Sequence, residues 1–351
     1  MKDKILVISV SNLAKGGVAS VVTTFMKSEY LNSHFDIKYF HSHDPKNFIS
    51  KWFTFFASCL YFPFLLLKEN VKVAHIHGSL KGSFLRKSYF ILWLKAFRIP
   101  TIYQCHAAEV KEYFNSRNSW QLRIIKKIFS LCSLRLCLGS NGVNLFEEKT
   151  HQKWNILFNP VPELEISKKN HNTCNFTFMG ELSQRKGIHD LLKAFSLSNY
   201  QNAQLFVAGN GDIDNLKSHC RELKIENNVT FLGWINNTEK KELLAKTDVI
   251  ILPSYAEGLP MSVLEAMSVG LPVITTPVGS VEDAITDHEH GLLVKPGDID
   301  GIQSAMNELI SDKEKRNVFG NNAKLKFHQY FEVPVVAKTL AEYYTSLISK
   351  S

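Results

Sequence analysis

Short apolar runs recur along the chain, each closed by a polar or glycine-containing turn and followed by a stretch of helical period. In the first half they are Ile5 to Val10, "FDIKYF", "VKVAHIHG", "PTIYQCH" and "LRLCLGS". In the second half they are "NFTFMGEL", "QLFVAGNG", "VTFLGW", "DVIILPS", "PVITTP" and "GLLVKP", with helices expected over Gly187–Ser196, Asn215–Leu223 and Thr238–Lys246. Apolar strands alternating with helices specify parallel sheets covered on both faces, an α/β class. The rhythm breaks at 159–173, "NPVPELEISKKNHNT", which is rich in Pro, Asn and charge and reads as a linker. Two such series predict two Rossmann-like domains, whose ligands gather at the carboxyl ends of the strands.

Residues 48–98 depart from this pattern. Trp52 to Leu67 is uncharged, but it is shorter than the ~20 residues of a spanning helix and contains Pro63. It reads as a helix buried on the sheet, not as a transmembrane span. Leu80 to Arg98 then interleaves Lys81, Arg86, Lys87, Lys95 and Arg98 with Phe84, Leu85, Tyr89, Phe90, Leu92 and Trp93. A basic amphipathic helix of this kind predicts peripheral attachment to an anionic membrane surface. The competing reading is a sheet-covering helix with a solvated basic face.

Composition narrows the function classes. The formal net charge of +8 over 351 residues favours anionic partners. No basic-aromatic module accompanies it, so nucleic acid is not expected. Six scattered cysteines form no CxxC pair, which argues against a disulfide framework or a zinc site and for a reducing cytosol. The opening "MKDKILVISVSN" reads as a strand and loop and not as a signal peptide.

The densest chemistry lies in "SYAEGLPMSVLEAMSVGLPVITTPVGS", residues 254–280. A strand ends at Pro253, and Pro260 suits the first turn of the next helix, where its missing N–H costs nothing. The N–H groups of Met261 to Val263 then form an anion site at a positive helix end. Glu257 stands at its mouth and Glu265 lies further in; each carboxylate can accept hydrogen bonds from a vicinal diol. Taken alone, the two read better as exposed helix-flanking acids, and it is their context that reverses this. Upstream, "FMGELSQRKGIHDLLKAF" places Arg185 and Lys186 in a strand-end loop, where two cations can neutralise a diphosphate without metal. A solvated Arg-Lys pair is the bland alternative. "VAGNGD" (207–212) and "TPVGSVEDAI" (276–285) add glycine-containing strand-end loops. The Asp-x-Asp triplets at 212–214 and 298–300 follow Gly at loop-to-helix junctions, which predicts N-caps and no metal site.

In order and spacing these segments, with "FLGW" and "GLLVKPGD", resemble the family 4 glycosyltransferases over roughly residues 174 to 300; the first half resembles them only at "GGV", "HIHG", "QCHAAE" and "LGSN". The resemblance implies a GT-B fold, two Rossmann-like domains facing across a cleft. It assigns 1–162 to the acceptor, 163–328 to the nucleotide-sugar, and 329–351 to a helix crossing back to the N-terminal domain. It implies retention of anomeric configuration and transfer from a nucleotide-sugar, a UDP-sugar, to a glycan or lipid-linked glycan in cell-surface polysaccharide biosynthesis. Neither a metal nor a cofactor is implied. Glu265 would hold the ribose, and Glu257 the transferred sugar, beside the Gly258, Leu259, Pro260 and Met261 backbone. Arg185 and Lys186 would hold the diphosphate, helped by Gly16 and Gly17, with Gly209, Gly279 and Ser280 lining the donor site. His106 would meet the reacting sugar, assisted by Glu109. Two departures stand out: "FNPVPE" puts Pro160 where many relatives carry Gly, and the acceptor half has no subgroup signature. The rival readings are a nucleotide-sugar epimerase on the same fold and a non-catalytic nucleotide-binding subunit. Glu257 and Glu265 around Gly-Leu-Pro favour the transferase over the epimerase. Intact Arg185, Lys186, Glu257 and Glu265 argue against a pure binder.

Overall fold

A computed structural model describes residues 2–11, 16–44, 48–169 and 171–350; residues 12–15, within the loop expected before Gly16, lie outside it. The chain forms two compact units, one of residues 1–160 with 333–351 and one of 161–332.

The first unit is built on β1 (Asp3–Ser9), β2 (Phe35–His41), β3 (Val71–Gly78), β4 (Thr101–Cys105), β5 (Leu134–Cys137) and β6 (Asn155–Ile156). Among the described residues they form one six-stranded sheet in the order β2-β1-β3-β4-β5-β6, with parallel neighbours. Strand β4 is buried at every position, as a strand covered on both faces must be. Strand β6 has only two residues, too few for the apolar pattern to mark it as a strand. The helix Val333–Ile348 packs on this unit: the Tyr344 hydroxyl lies 2.8 Å from His75 Nδ1, and the Tyr343 hydroxyl donates to Ile156 O at 3.1 Å.

The apolar segment corrects the sequence reading twice. First, Phe48–Lys68 is one 21-residue helix running through Pro63, and Ile49–Lys68 is long and apolar enough to cross a membrane by length and composition. Proline at 63 cannot donate to the Cys59 carbonyl, which would otherwise be orphaned. The Tyr89 hydroxyl takes that carbonyl at 2.9 Å, and the helix continues. Only one face is buried as expected, through Phe55, Phe62 and Leu66, with Phe62 packed on Phe40 and Phe90. The opposite face is exposed. Second, in the next helix, Gly82–Ala96, Lys87 is not on a solvated basic face. It falls on the inward stripe with Phe84, Ile91 and Leu94 and donates to Ser42 Oγ at 2.7 Å. Burial holds its ammonium pKa well below the usual value, and Arg86 adds to the effect.

The second unit repeats the plan with β7 (Cys174–Met179), β8 (Ala203–Ala208), β9 (Val229–Gly233), β10 (Val249–Leu252), β11 (Val273–Thr275) and β12 (Gly291–Leu293). The order is β12-β11-β10-β7-β8-β9, again parallel among the described residues. Phe176, Phe178, Leu205, Val207, Ile250 and Ile251 fill its core. The chain order reverses between β7 and β10. Ligands of open α/β sheets bind in the crevice at such a reversal.

Candidate active site

In the second unit the loops after β7 and β10 flank that reversal, and backbone bonds join them. Tyr255 N donates to Arg185 O at 2.8 Å, and the Arg185 guanidinium returns a bond to Ala256 O at 3.0 Å. The same guanidinium meets Glu181 at 3.2 Å. Arg185 is therefore a clamp between two loops as well as a cation at their edge. The loop after β11 closes the third side: Ser280 N donates to Gly258 O at 2.7 Å. Gly279 has φ +62°, and a Cβ there would stand 2.0 Å from Glu257 O. Only glycine lets this turn lie on the Glu257–Gly258 backbone. Gly209, after β8, is crowded in the same way by Gly180 O, 1.6 Å from where its Cβ would be. In both cases the close approach is to a neighbouring loop.

Glu257 is buried, and its Oε1 receives Lys186 Nζ at 2.5 Å and Ser254 Oγ at 2.7 Å. Oε2 takes neither contact. An ammonium has three donors, so Lys186 keeps capacity for a second acceptor. Glu265 repeats the device from within the helix Met261–Ser268, with Oε1 on Lys240 Nζ at 2.6 Å. Pro260 is the N-cap of this helix, one place before the first-turn position expected for it. Val263 N donates to Pro260 O at 3.2 Å, so among the described residues the donors at the helix start are Met261 and Ser262. Leu259 and Pro260 are buried, while Gly258 and Met261 are partly open. Asp212 and Asp298 cap their helices, accepting from Asn215 N at 3.1 Å and Gly301 N at 2.9 Å.

Two partners escaped the sequence reading. Lys240 lies in the helix Asn237–Ala245 within a lysine-rich polar run that carries no motif. Ser254 sits in the quoted loop, and its place three residues before Glu257 was the available signal.

The first unit holds the remaining predicted residues. His106 follows β4 and stacks on His77, with its Nε2 3.0 Å from His77 Nδ1, and the His77 ring in turn lies tilted against His75, centroids 4.2 Å apart. Burial lowers the His106 pKa to about 4 and that of His75 to about 3, with the charge of His106 adding to the effect at His75. His77 falls well below the usual range for the same reason. At neutral pH His106 is an uncharged imidazole that can donate or accept a hydrogen bond. Glu109 pairs with Lys81 at 2.6 Å. Gly16, at φ +130°, caps the helix that begins at Gly17. The structure thus groups Arg185, Lys186, Glu257, Gly258, Gly279 and Ser280 around one set of strand ends.

Known proteins share this plan. An uncharacterized glycosyltransferase of Methanocaldococcus jannaschii is 28% identical over 248 residues, 68% of this chain and 63% of the relative. The capsular polysaccharide biosynthesis glycosyltransferase CapM of Staphylococcus aureus is 25% identical over 193 residues, 53% of this chain and 51% of CapM. The chain thus spans between half and two thirds of the length of these two relatives. The crystal structure of HepE from Anabaena in complex with UDP superposes with a TM-score of 0.79 at 18% identity, covering 98% of this chain and all of that one. The fold is that of GT-B glycosyltransferases, and residues 163–326, which carry the Lys186–Glu257 and Lys240–Glu265 pairs, match the family model of the group 1 glycosyl transferases.

Proposed function

We propose that the chain is a retaining glycosyltransferase of the family 4 type that moves a sugar from a UDP-sugar to a hydroxyl of a growing glycan. One observation carries the reading: two carboxylates, each fixed by a lysine through one oxygen, stand beside three interlocked strand-end loops at the reversal of the second sheet. Glu265 Oε2 accepts from the ribose diol, and Glu257 Oε2 from a hydroxyl of the transferred sugar. Lys186, Arg185 and the N–H groups of Met261 and Ser262 meet the diphosphate, with Gly16 and Gly17 assigned to the same group. As the glycosidic bond breaks, negative charge grows on the leaving phosphate, where fixed donors lower the barrier most. The acceptor hydroxyl attacks from the same face and passes its proton to the departing phosphate, so configuration is retained. Asp212 and Asp298 each cap a helix through Oδ1, which supports reading the Asp-x-Asp triplets as caps, and the proposed chemistry uses no metal. His106 contributes a neutral hydrogen-bonding imidazole to the reacting sugar, with Glu109 beside it in sequence. The similarity to CapM supports a role in cell-surface polysaccharide assembly; the proposal places it at the cytoplasmic face, with a lipid-linked glycan as acceptor. The HepE complex with UDP supports uracil as the base.

Calorimetry with free UDP tests the central assignment. Glu265→Ala is expected to weaken UDP binding by ~1–3 kcal/mol, the scale of hydrogen bonds to a charged group. A folded variant that binds UDP as the wild type does overturns the ribose assignment.

A further inference from the structure

The exposed face of the helix Phe48–Lys68 is unexplained by glycosyl transfer. Ile49, Phe53, Phe56, Leu60, Phe64 and Leu67 are each more than half exposed. At 3.6 residues per turn they fall on one stripe, ~27 Å long at 1.5 Å per residue. Isolated exposed apolar residues are ordinary, whereas a contiguous stripe of this length marks an interaction surface.

We propose that this stripe docks the first unit in the plane of an anionic lipid bilayer, with the helix lying at the interface and not crossing it. The proposal goes beyond the transfer reading and does not depend on it. The in-plane geometry follows from what holds the opposite face. Phe55, Phe62 and Leu66 belong to the core of the unit, Ser58 Oγ donates to His41 O at 2.9 Å, and Thr54 Oγ1 accepts from Asp44 N at 2.9 Å. A helix that left to span the membrane would strip that core and break these bonds. A helix that stays presents one apolar stripe outward, the geometry of an interfacial helix.

Charge selects lipid over a second copy of the chain. The helix carries Lys51 near its start and Lys68 at its end, and no acidic residue between 48 and 68. A two-fold pairing of two such stripes would set the exposed Lys68 against a helix that offers it no carboxylate. An anionic headgroup layer meets Lys68, on the flank of the stripe, with opposite charge while the rings enter the acyl boundary. The adjoining helix Gly82–Ala96 also exposes Leu85, Leu92 and Lys95. The membrane surface is therefore placed mainly on the earlier helix, since Lys87 of the later one is buried.

Flotation of the full chain with phosphatidylglycerol–phosphatidylcholine vesicles tests this. The triple variant Phe53→Ser, Leu60→Ser, Phe64→Ser alters only exposed positions, so folding should persist, as a thermal melt will show. Its vesicle partition coefficient is expected to fall at least ~10-fold, the loss from withholding large apolar groups from the lipid. Leu325→Ser, an equally exposed apolar position in the second unit, should leave it unchanged. Failure of the wild type to float overturns the proposal, as does equal partition of the triple variant. So does a wild-type dimer that the triple variant converts to monomer without any vesicle binding. UDP affinity measured without vesicles should be the same in both proteins, so a negative result here leaves the transfer reading standing.

Discussion

At the scale of single residues, the two lysine–carboxylate pairs differ in what they risk. Glu257 is almost fully buried, and the Lys186 side chain is only 14% exposed. Removing one partner of such a pair strands the other charge away from water, at a cost of about 3–5 kcal/mol. Lys186→Ala is therefore expected to destabilise the second unit as well as slow transfer. The double variant Lys186→Met, Glu257→Gln should recover most of the stability and none of the activity. Urea titration of the three proteins separates the effects; equal unfolding midpoints for wild type and Lys186→Ala would show that the pair contributes nothing to stability. The histidines of the first unit give a pH signature. In the unfolded chain they take protons near 6.5, whereas His106 resists until about 4 and His75 until about 3. Between these values the unfolded state binds more protons, so stability falls as pH drops through that window and is fully present above it. Unfolding midpoints measured from pH 7.5 down to 5, above the main carboxylate range, should decline; a flat profile contradicts buried neutral imidazoles.

Among elements, the loop after β11 is the most constrained. Gly279 combines a left-handed backbone with a carbonyl 2.0 Å from the missing Cβ, so Gly279→Ala must displace either its own turn or the Glu257–Gly258 loop backbone. Left-handed strain alone costs ~1–3 kcal/mol, and a thermal melt should fall by several degrees. Gly16→Ala is the contrast, since among the described residues no atom lies within 4 Å of its added Cβ, and the strain at φ +130° acts without such a contact. Equal effects of the two would show that loop contact at Gly279 is unimportant. These strand-end loops were legible in the sequence because uninterrupted apolar runs and the glycines that close them are local signals. What joins the loops was not legible. Lys240 reaches Glu265 across 25 positions, Tyr89 rescues the Cys59 carbonyl across 30, and Lys87 finds Ser42 across 45. None of these pairs has a spacing that helix or strand period fixes. The inward turn of Lys87 could have been seen, since it shares the spacing of Phe84, Ile91 and Leu94. Its charge argued for solvent, and the stripe prevailed.

At the scale of the whole molecule, the first unit is discontinuous in sequence, and its last segment is the helix Val333–Ile348. That helix buries Val336, Leu340 and Tyr344 against the unit and places the Tyr344 hydroxyl on His75. Each such side chain contributes ~1.5–3 kcal/mol by burial, so the three together approach the ~5–15 kcal/mol by which a domain is stable at all. Ending the chain after Glu332 should therefore unfold the first unit while sparing the second, whose segment 161–332 closes on itself through the Val161–Glu332 bridge and the bond from Val161 N to Phe331 O. Hydrogen exchange read by peptide would show this as full exchange across β1 to β5 with β7 to β11 still protected. Because the proposed ribose contact of Glu265 and phosphate contact of Lys186 both lie in the second unit, the truncated chain should bind UDP within about tenfold of the full chain, a difference of ~1.4 kcal/mol. Transfer to any acceptor should be lost. Protected first-unit strands in the truncated chain would show that the returning helix is dispensable. Loss of UDP binding with the second unit still protected would move the nucleotide site away from the residues assigned to it.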